Sequence, residues 1–352
     1  MSMLAERVGF VIGVDTHRDT LAAAVLSAPT GGVLAQTQVA ADAAGYAALR
    51  VWAAGHAPGP RAWAVEGTGS YGAGLAAGLV DAGERVYEID RVTRGRRGGK
   101  SDAVDAVRAA REALGREHLP TPRQHGKREA LRMVLTSREG AVRARTAAWN
   151  ELAALIVTAP EPVRALLRAH RGEQLLDAVA RLPHPAGEPL VIEVASTTIR
   201  AVATRVGLLS AEVADYDRQL AGLLDGHQLL EEFGVGPVVA AQLLIAWSHP
   251  GRVRSEAAFA TLAGAAPLPA SSGRITRHRL SRKGDRQLNR ALHVVALIRL
   301  GRHPETQAYA TRRRTQGKTN REILRCLKRA LARRFHRLLT RLESPQPTAL
   351  PA

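Results

Sequence analysis

Between residues 8 and 89 the chain is written in five short apolar runs, at 8–14, 20–26, 33–39, 61–65 and 85–89. Helical spacing separates them over 41–54 and 75–82. Runs this short, bounded by turn-forming residues, read as buried strands rather than helices. Strands alternating with helices commit the segment to an α/β layer structure. The turn-rich Ser27-Ala-Pro-Thr-Gly-Gly32 separates the second and third runs.

A different regime begins near residue 101. Ala-, Leu-, Arg- and Glu-rich stretches at 126–158, 161–181 and 190–225 carry helical periodicity and few strand signals. Their length predicts extended helices or a coiled coil that serves as an oligomerisation arm, and hence a homo-oligomer, dimer or tetramer. A shorter helical region follows from 229 to 341, interrupted by a loop at 265–279. The expected fold class is therefore α/β plus α. Its domains are 1–120, a long-helix linker at 121–225, a C-terminal domain at 226–342, and a disordered tail at 343–352 that is rich in proline.

The sequence excludes several classes of protein. No apolar run is long enough to cross a bilayer. The N-terminus lacks the layout of a signal peptide. The single cysteine, Cys326, rules out an internal disulfide framework or a multi-cysteine zinc site and reads as a small core residue. These features predict a cytoplasmic, nucleoid-associated protein with no membrane partner.

Charge is distributed unevenly. The formal net charge is +18, and residues 271–341 alone hold 21 Lys and Arg against 3 Asp and Glu. The rest of the chain balances at 29 of each. An arginine-rich composition alone would not concentrate the excess in one segment. Clustered arginine binds polyanions by releasing their counterions, so the C-terminal third is expected to bind nucleic acid. Arg312-Arg-Arg314 and the arginines of 321–341 look spaced all round their helices, which suits phosphate contact without base readout.

Four acidic residues stand out by position. Asp15 closes the first strand in Gly13-Val-Asp-Thr-His17, and Glu66 closes the fourth in Val65-Glu-Gly-Thr-Gly69. Asp102 and Asp105 share one face of a predicted helix in Lys100-Ser-Asp-Ala-Val-Asp-Ala106. Singly, each reads as a solvated charge or a cap, with Ser101 able to cap the helix. Together, carboxylates from separate elements meeting at one point suit a pair of Mg²⁺ (or Mn²⁺) ions that activate a nucleophile and stabilise a leaving oxygen at a phosphodiester. His17, beside Asp15, reads as a structural histidine ahead of a metal or phosphate contact, and Ser70 and Tyr71 of a glycine-rich loop as turn residues ahead of nucleic-acid contacts.

Further on, Gly234-Val-Gly-Pro237 before an apolar helix is similar to a helix-hairpin-helix, in which Gly234 and Gly236 would let backbone N–H groups approach a phosphate. An ordinary turn explains the same string. The Ser271-Ser-Gly273 loop is followed by Arg274, Arg277, Arg279, Arg282 and Lys283. Cations this dense can hold a phosphate and activate a hydroxyl. On the residues alone, a flexible turn explains the serines better than a nucleophile does.

The order strand-Asp, strand-Glu, helix Asp-x-x-Asp resembles the RuvC-like branch of the RNase H fold. The strings GVDTH, VEGTGSYG and KSDAVDA resemble those of the DEDD insertion-sequence transposases, a family of RNA-guided recombinases. The resemblance implies that Asp15, Glu66, Asp102 and Asp105 are metal ligands. The family's C-terminal pattern is matched by Gly264, Pro267, Ser272-Gly273, Lys283-Gly-Asp285 and Leu288, which implies a nucleophilic serine, Ser272 with Ser271 in reserve. The expected activity is a transposase/site-specific recombinase that cuts and rejoins donor and target DNA by phosphodiester transesterification. It would work through a composite site of carboxylates and serine, and a structured noncoding RNA would choose the sites. Two other readings remain: a hydrolytic, Holliday-junction-like endonuclease without the serine, and a non-catalytic nucleic-acid-binding protein.

Overall fold

The computed structural model describes residues 3–89, 102–123, 125–183, 187–269, 278–279 and 284–343. The chain divides into two compact units, 1–125 and 126–352.

The first unit is a five-stranded mixed sheet flanked by helices. Its elements are β1 (Phe10–Thr16), β2 (Thr20–Ser27), β3 (Val33–Ala40), α1 (Ala43–His56), β4 (Arg61–Glu66), α2 (Ala73–Asp81), β5 (Val86–Ile89) and α3 (Asp102–Leu114). The strand order is β3-β2-β1-β4-β5, with β1–β2 and β2–β3 antiparallel and β1–β4 and β4–β5 parallel. This mixed α/β sheet followed by a mostly helical remainder is consistent with the RNase H-like expectation. Asp15 lies in β1, one residue before the strand's end. Pairing of Asp15 with Ala22 and Thr16 with Leu21 carries the antiparallel ladder past the end of the apolar run.

The sheet's two faces differ in side-chain size, and this difference positions the site. One face presents Ile12, Val14, Leu21, Trp63 and Val65 to Leu49, Ala53, Leu75 and Leu79 of α1 and α2. The opposite face presents mainly small residues, Ala22, Ala24, Ala62 and Ala64, to Ala106, Ala109, Ala110 and Ala113 of α3. Small residues on both sides let α3 lie close against the strands. At Gly13 the approach is closest: an added Cβ would lie 2.0 Å from the Ala106 carbonyl oxygen and 2.7 Å from the Ala110 nitrogen.

The second unit is helical. A long pair, α4 (Lys127–Thr158) and α7 (Leu190–Leu223), brackets the short helices α5 (Glu161–Leu167) and α6 (Gly172–Ala180). The single helical stretch expected over 161–181 is thus broken, with Gly172 at φ 56° in the left-handed region. The remaining elements are α8 (Pro237–Trp247), α9 (Glu256–Leu262), the two-residue strands β6 (Leu268–Pro269) and β7 (His278–Arg279), α10 (Arg286–Arg302), α11 (Pro304–Thr315) and α12 (Asn320–Glu343). Every residue of α8 from Val239 to Trp247 is buried, as expected for a helix that is apolar all round. It packs into one core with Leu131 and Leu135 of α4, Leu220 of α7, Leu292 of α10 and Phe335 of α12. Among the described residues no helix is long and apolar enough to cross a membrane.

Candidate metal centre

The site forms where β1 and β4 end beside the first turn of α3. Side chains alternate along a strand. Ile12 and Val14 of β1 enter the core under α1 and α2, so Gly13 and Asp15 belong to the α3 face. In β4, Trp63 and Val65 enter that same core while Ala62 and Ala64 meet α3, which assigns Glu66 to the α3 face as well. The parallel register pairs Val14 with Val65. The ladder ends at this pair, one residue before Asp15 and Glu66, so both carboxylates stand on the α3 face where the two adjacent strands end.

The chain just after Glu66 is held tightly. The Thr16 hydroxyl donates to the Glu66 carbonyl at 2.9 Å. Gly67 takes φ 67°, and its carbonyl accepts from the N–H groups of Ser70 and Gly72. An added Cβ at Gly72 would lie 2.8 Å from the Glu66 carbonyl oxygen. The Ser70 hydroxyl is engaged with the Gly67 carbonyl at 3.1 Å, as expected for a turn residue, and Tyr71 is exposed.

From the other side, α3 brings Asp102 and Asp105 in its first turn. Asp15 is 7 % exposed. Burial raises its carboxyl above the ordinary aspartate value, with His17 opposing this and the negative charges of Asp105 and Asp102 adding to it. The buried Asp15 carboxylate thus feels the charges of Asp105 and Asp102. His17 Nε2 lies 3.2 Å from Asp15 Oδ2 and 3.3 Å from Asp102 Oδ1. The ligand atoms of Asp15, His17 and Asp102 all fall within 4.8 Å of one another. Asp105 pairs with Arg108 at 2.7 Å.

All four expected carboxylates therefore lie at one end of the sheet, but His17, not Glu66 or Asp105, completes the tightest group of donor atoms. Sequence reasoning weighed His17 as a structural histidine and did not single out Gly13 or Arg108. The signal for Gly13 was its place two residues before Asp15, where the alternation points it at whatever covers the Asp15 face.

In the second unit, Ser271, Ser272, Arg274, Arg277, Arg282 and Lys283 lie outside the described residues, as does the tail beyond 343. Only the backbone of Arg279, in β7, is described. The C-terminal foot of that loop is well defined. Gly284 sits at φ 110°, and a Cβ there would lie 2.4 Å from the Leu262 carbonyl oxygen. Asp285 donates its N–H to that same oxygen at 2.7 Å. Its carboxylate caps α10 by accepting from Gln287 and Leu288 N–H at 2.8 and 3.0 Å. Gly284, Asp285 and the buried Leu288 thus have plain structural duties in a tight turn, a cap and a core. Next to this foot, the buried Lys328 ammonium donates to Asn289 Oδ1 at 2.9 Å, and Asn289 Nδ2 donates to the Ala263 carbonyl at 2.6 Å.

Gly234 takes φ 83° and packs against Ile298, and Gly236 precedes Pro237 at the start of α8. The element before Gly234 is one 3₁₀ turn, Gln228–Glu231, so a full first helix of the expected helix-hairpin-helix is not formed there. Cys326 is half-buried.

Comparison with known proteins fits this geometry. Residues 12–159 match the DEDD transposase family model named for IS110, and residues 226–311 match the model described as "Transposase IS116/IS110/IS902 family". The chain is 27% identical over 320 residues to the "Insertion element IS900 uncharacterized 42 kDa protein" of Mycobacterium paratuberculosis, covering 76% of this chain and 79% of that one. It is 29% identical over 206 residues to a "Probable family 20 transposase" of Pseudomonas aeruginosa, covering 56% and 58%. Over 113 residues it is 34% identical to the "Insertion element IS110 uncharacterized 43.6 kDa protein" of Streptomyces coelicolor, covering 31% and 28%. With its carboxylates gathered at one end of a five-stranded mixed sheet, the chain is similar, in order, to the DEDD transposase model over residues 12–159 and to the IS116/IS110/IS902 transposase model over residues 226–311.

Proposed function

We propose that this chain is a metal-dependent transposase/recombinase that cuts and rejoins the DNA of a mobile element. The observation that carries the reading is the meeting of Asp15, Asp102 and His17 beside Glu66 and Asp105, at the end of a sheet in a chain similar to both transposase models. The donor set fits a divalent cation: hard carboxylate oxygens and one imidazole, with ligand atoms within 4.8 Å of one another. Asp15, Asp102 and His17 would hold the ion, Asp105 and Glu66 would complete its surroundings, and Mg²⁺ or Mn²⁺ suits these ligands. Such an ion, when bound, supplies Lewis-acid polarisation of a phosphodiester and neutralises charge on the leaving oxygen.

The protein's own part is positioning. Rigid strand ends hold Asp15 and Glu66, the close approach at Gly13 holds the first turn of α3 against them, and burial around Asp15 keeps water from weakening their electrostatics. The serine of the C-terminal domain, Ser272 with Ser271 as the alternative, would attack DNA. It would form a phosphoserine ester and release a 3′-hydroxyl, the same strand exchange that the carboxylates serve. A structured RNA transcribed from the element would choose donor and target, and the protein would act as a dimer or tetramer.

The test is a denaturing gel of the full chain with labelled element DNA in Mg²⁺. The expected result is a protein–DNA adduct that disappears in Ser272→Ala and in Asp15→Asn. Clean hydrolysis that survives the Ser271→Ala/Ser272→Ala double variant would replace the recombinase with a hydrolytic nuclease. Undiminished cleavage by Asp15→Asn would remove the metal assignment.

A further inference from the structure

The arginines of α12 recur every fourth residue at 321, 325, 329, 333, 337 and 341. At 3.6 residues per turn each step drifts by about 40°, so the row winds around the helix, and its two ends meet different surroundings. In the C-terminal half, Arg333 and Arg337 of this row are used internally. Arg333 and Arg337 both pair with Glu256, at 2.7 and 3.4 Å. Arg334 pairs with Glu232 at 2.8 Å, which also holds Arg299 at 2.9 Å.

The N-terminal half is different. Among the described residues, Arg321, Arg325 and Arg329, and Arg312 on α11, make no ion pair within 4.0 Å, and the Glu322 carboxylate only feels the charge of Arg325. Arg321 and Arg325 line a shallow depression of about 570 Å³ with Thr319, Asn320 and Glu322. Glu322, the one acid there, is committed to a reciprocal cap: it accepts from the Thr319 N–H and hydroxyl, both at 2.8 Å, and returns its own N–H to Thr319 Oγ1. The Arg314 guanidinium donates to Asn320 at 3.1 Å, which joins the end of α11 to the same depression. Arg312 and Arg313 each lie 5.7 Å from the Tyr309 ring. No exposed large apolar side chain occurs among the described residues beyond Ile298, so the patch lacks what a membrane-inserting surface needs.

We propose that the elbow between α11 and α12, through Arg312, Arg321 and Arg325, is a docking surface for the phosphate backbone of duplex DNA, while Arg333, Arg334 and Arg337 are structural cations. The proposal rests on the DNA-rearranging reading above and deepens it by dividing one basic helix into a binding half and a folding half. Free guanidinium groups on a rigid helix contact phosphates without reading bases.

Salt-dependent binding tests this. Fluorescence anisotropy of the full chain is followed with a labelled duplex of arbitrary sequence, in EDTA, across a KCl series. Each lost phosphate contact lowers the slope of log K against log[salt] by about 0.9. The Arg312→Gln/Arg321→Gln/Arg325→Gln variant should lose about 2.7 of slope, equally for unrelated sequences, with an unchanged Tm. Arg333→Gln/Arg337→Gln should keep the slope and lower the Tm. An unchanged slope in the triple variant overturns the proposal. So does a loss seen only with a folded RNA hairpin or only with phosphatidylserine vesicles. Wild-type protein that binds no duplex at all overturns the DNA reading beneath it as well, whereas wild-type binding with an unaffected triple variant overturns this inference alone.

Discussion

His17 Nε2 lies 3.3 Å from Asp102 Oδ1, joining the loop after β1 to the first turn of α3. The same nitrogen reaches Asp15, so one imidazole touches both carboxylates of the tightest donor group. His17→Ala should weaken Mn²⁺ uptake on the order of 10–100-fold, the range seen when a group that holds metal ligands in place is lost. Its side chain is half exposed, so the free energy of unfolding in EDTA should stay within about 0.5 kcal/mol of wild type. Calorimetric titration of Mn²⁺ into both proteins measures the first, and unchanged affinity would return His17 to a purely structural role.

Gly13 should be intolerant of any side chain. A Cβ 2.0 Å from the Ala106 carbonyl oxygen meets backbone, which cannot rotate away. Gly13→Ala should destabilise the first unit by about 1–3 kcal/mol as α3 is pushed off the sheet. Because Asp102 and Asp105 move with α3, divalent uptake should fall further than the loss of folded protein explains. Parallel denaturation and metal titration of the folded fraction separate the two effects.

Gly284→Ala should act at the foot of the loop bearing Ser272. The residue sits at φ 110°, and its Cβ would lie 2.4 Å from the Leu262 oxygen. Strain of this kind costs about 1–3 kcal/mol. The adduct yield should drop while Mn²⁺ binding at the N-terminal unit stays at the wild-type level. A variant with wild-type adduct formation and stability would show that the turn accommodates a side chain after all.

Acid should loosen the second unit through Glu232. Burial pushes its carboxyl up, but hydrogen bonds from Arg334 and Arg299 and their charges outweigh this, leaving it below the ordinary 4.5. A carboxyl more acidic in the folded than in the unfolded chain contributes stability above pH 4.5, and that contribution fades as pH falls through the folded value. Glu232→Gln should therefore cost about 3 kcal/mol near neutrality, since it leaves two arginines without their anion. It should also flatten the decline of stability below pH 4.5. Glu139, raised by burial, works in the opposite sense and should persist in the variant. Urea denaturation at neutral and acidic pH gives both quantities, and an unaltered pH profile would remove Glu232 from the account.

Much of the site was legible in the order of residues because its determinants are local. The run ending in Asp15 and the run ending in Glu66 fix by alternation which face each carboxylate shares, and Asp102 and Asp105 share a helix face by spacing alone. The pattern also located the long helices at 126–158 and 190–225 to within a few residues. The break between α5 and α6 was not legible, since Gly172 in a left-handed turn leaves the helical periodicity on either side intact.

By itself, the sequence determined the strand-and-helix order, the acidic residues at element ends and the concentration of arginine in the last third. These depend on periodicity and composition within one short stretch. Only the tertiary structure decided that His17 would span two carboxylates, that Gly13 would be the point of closest approach for α3, and that Arg333 and Arg337 would be paired with Glu256 while Glu322, the acid beside Arg321 and Arg325, is taken up by Thr319. Each of these is a pairing between distant parts of the chain. It depends on which surfaces pack together, a property that no single stretch of residues carries.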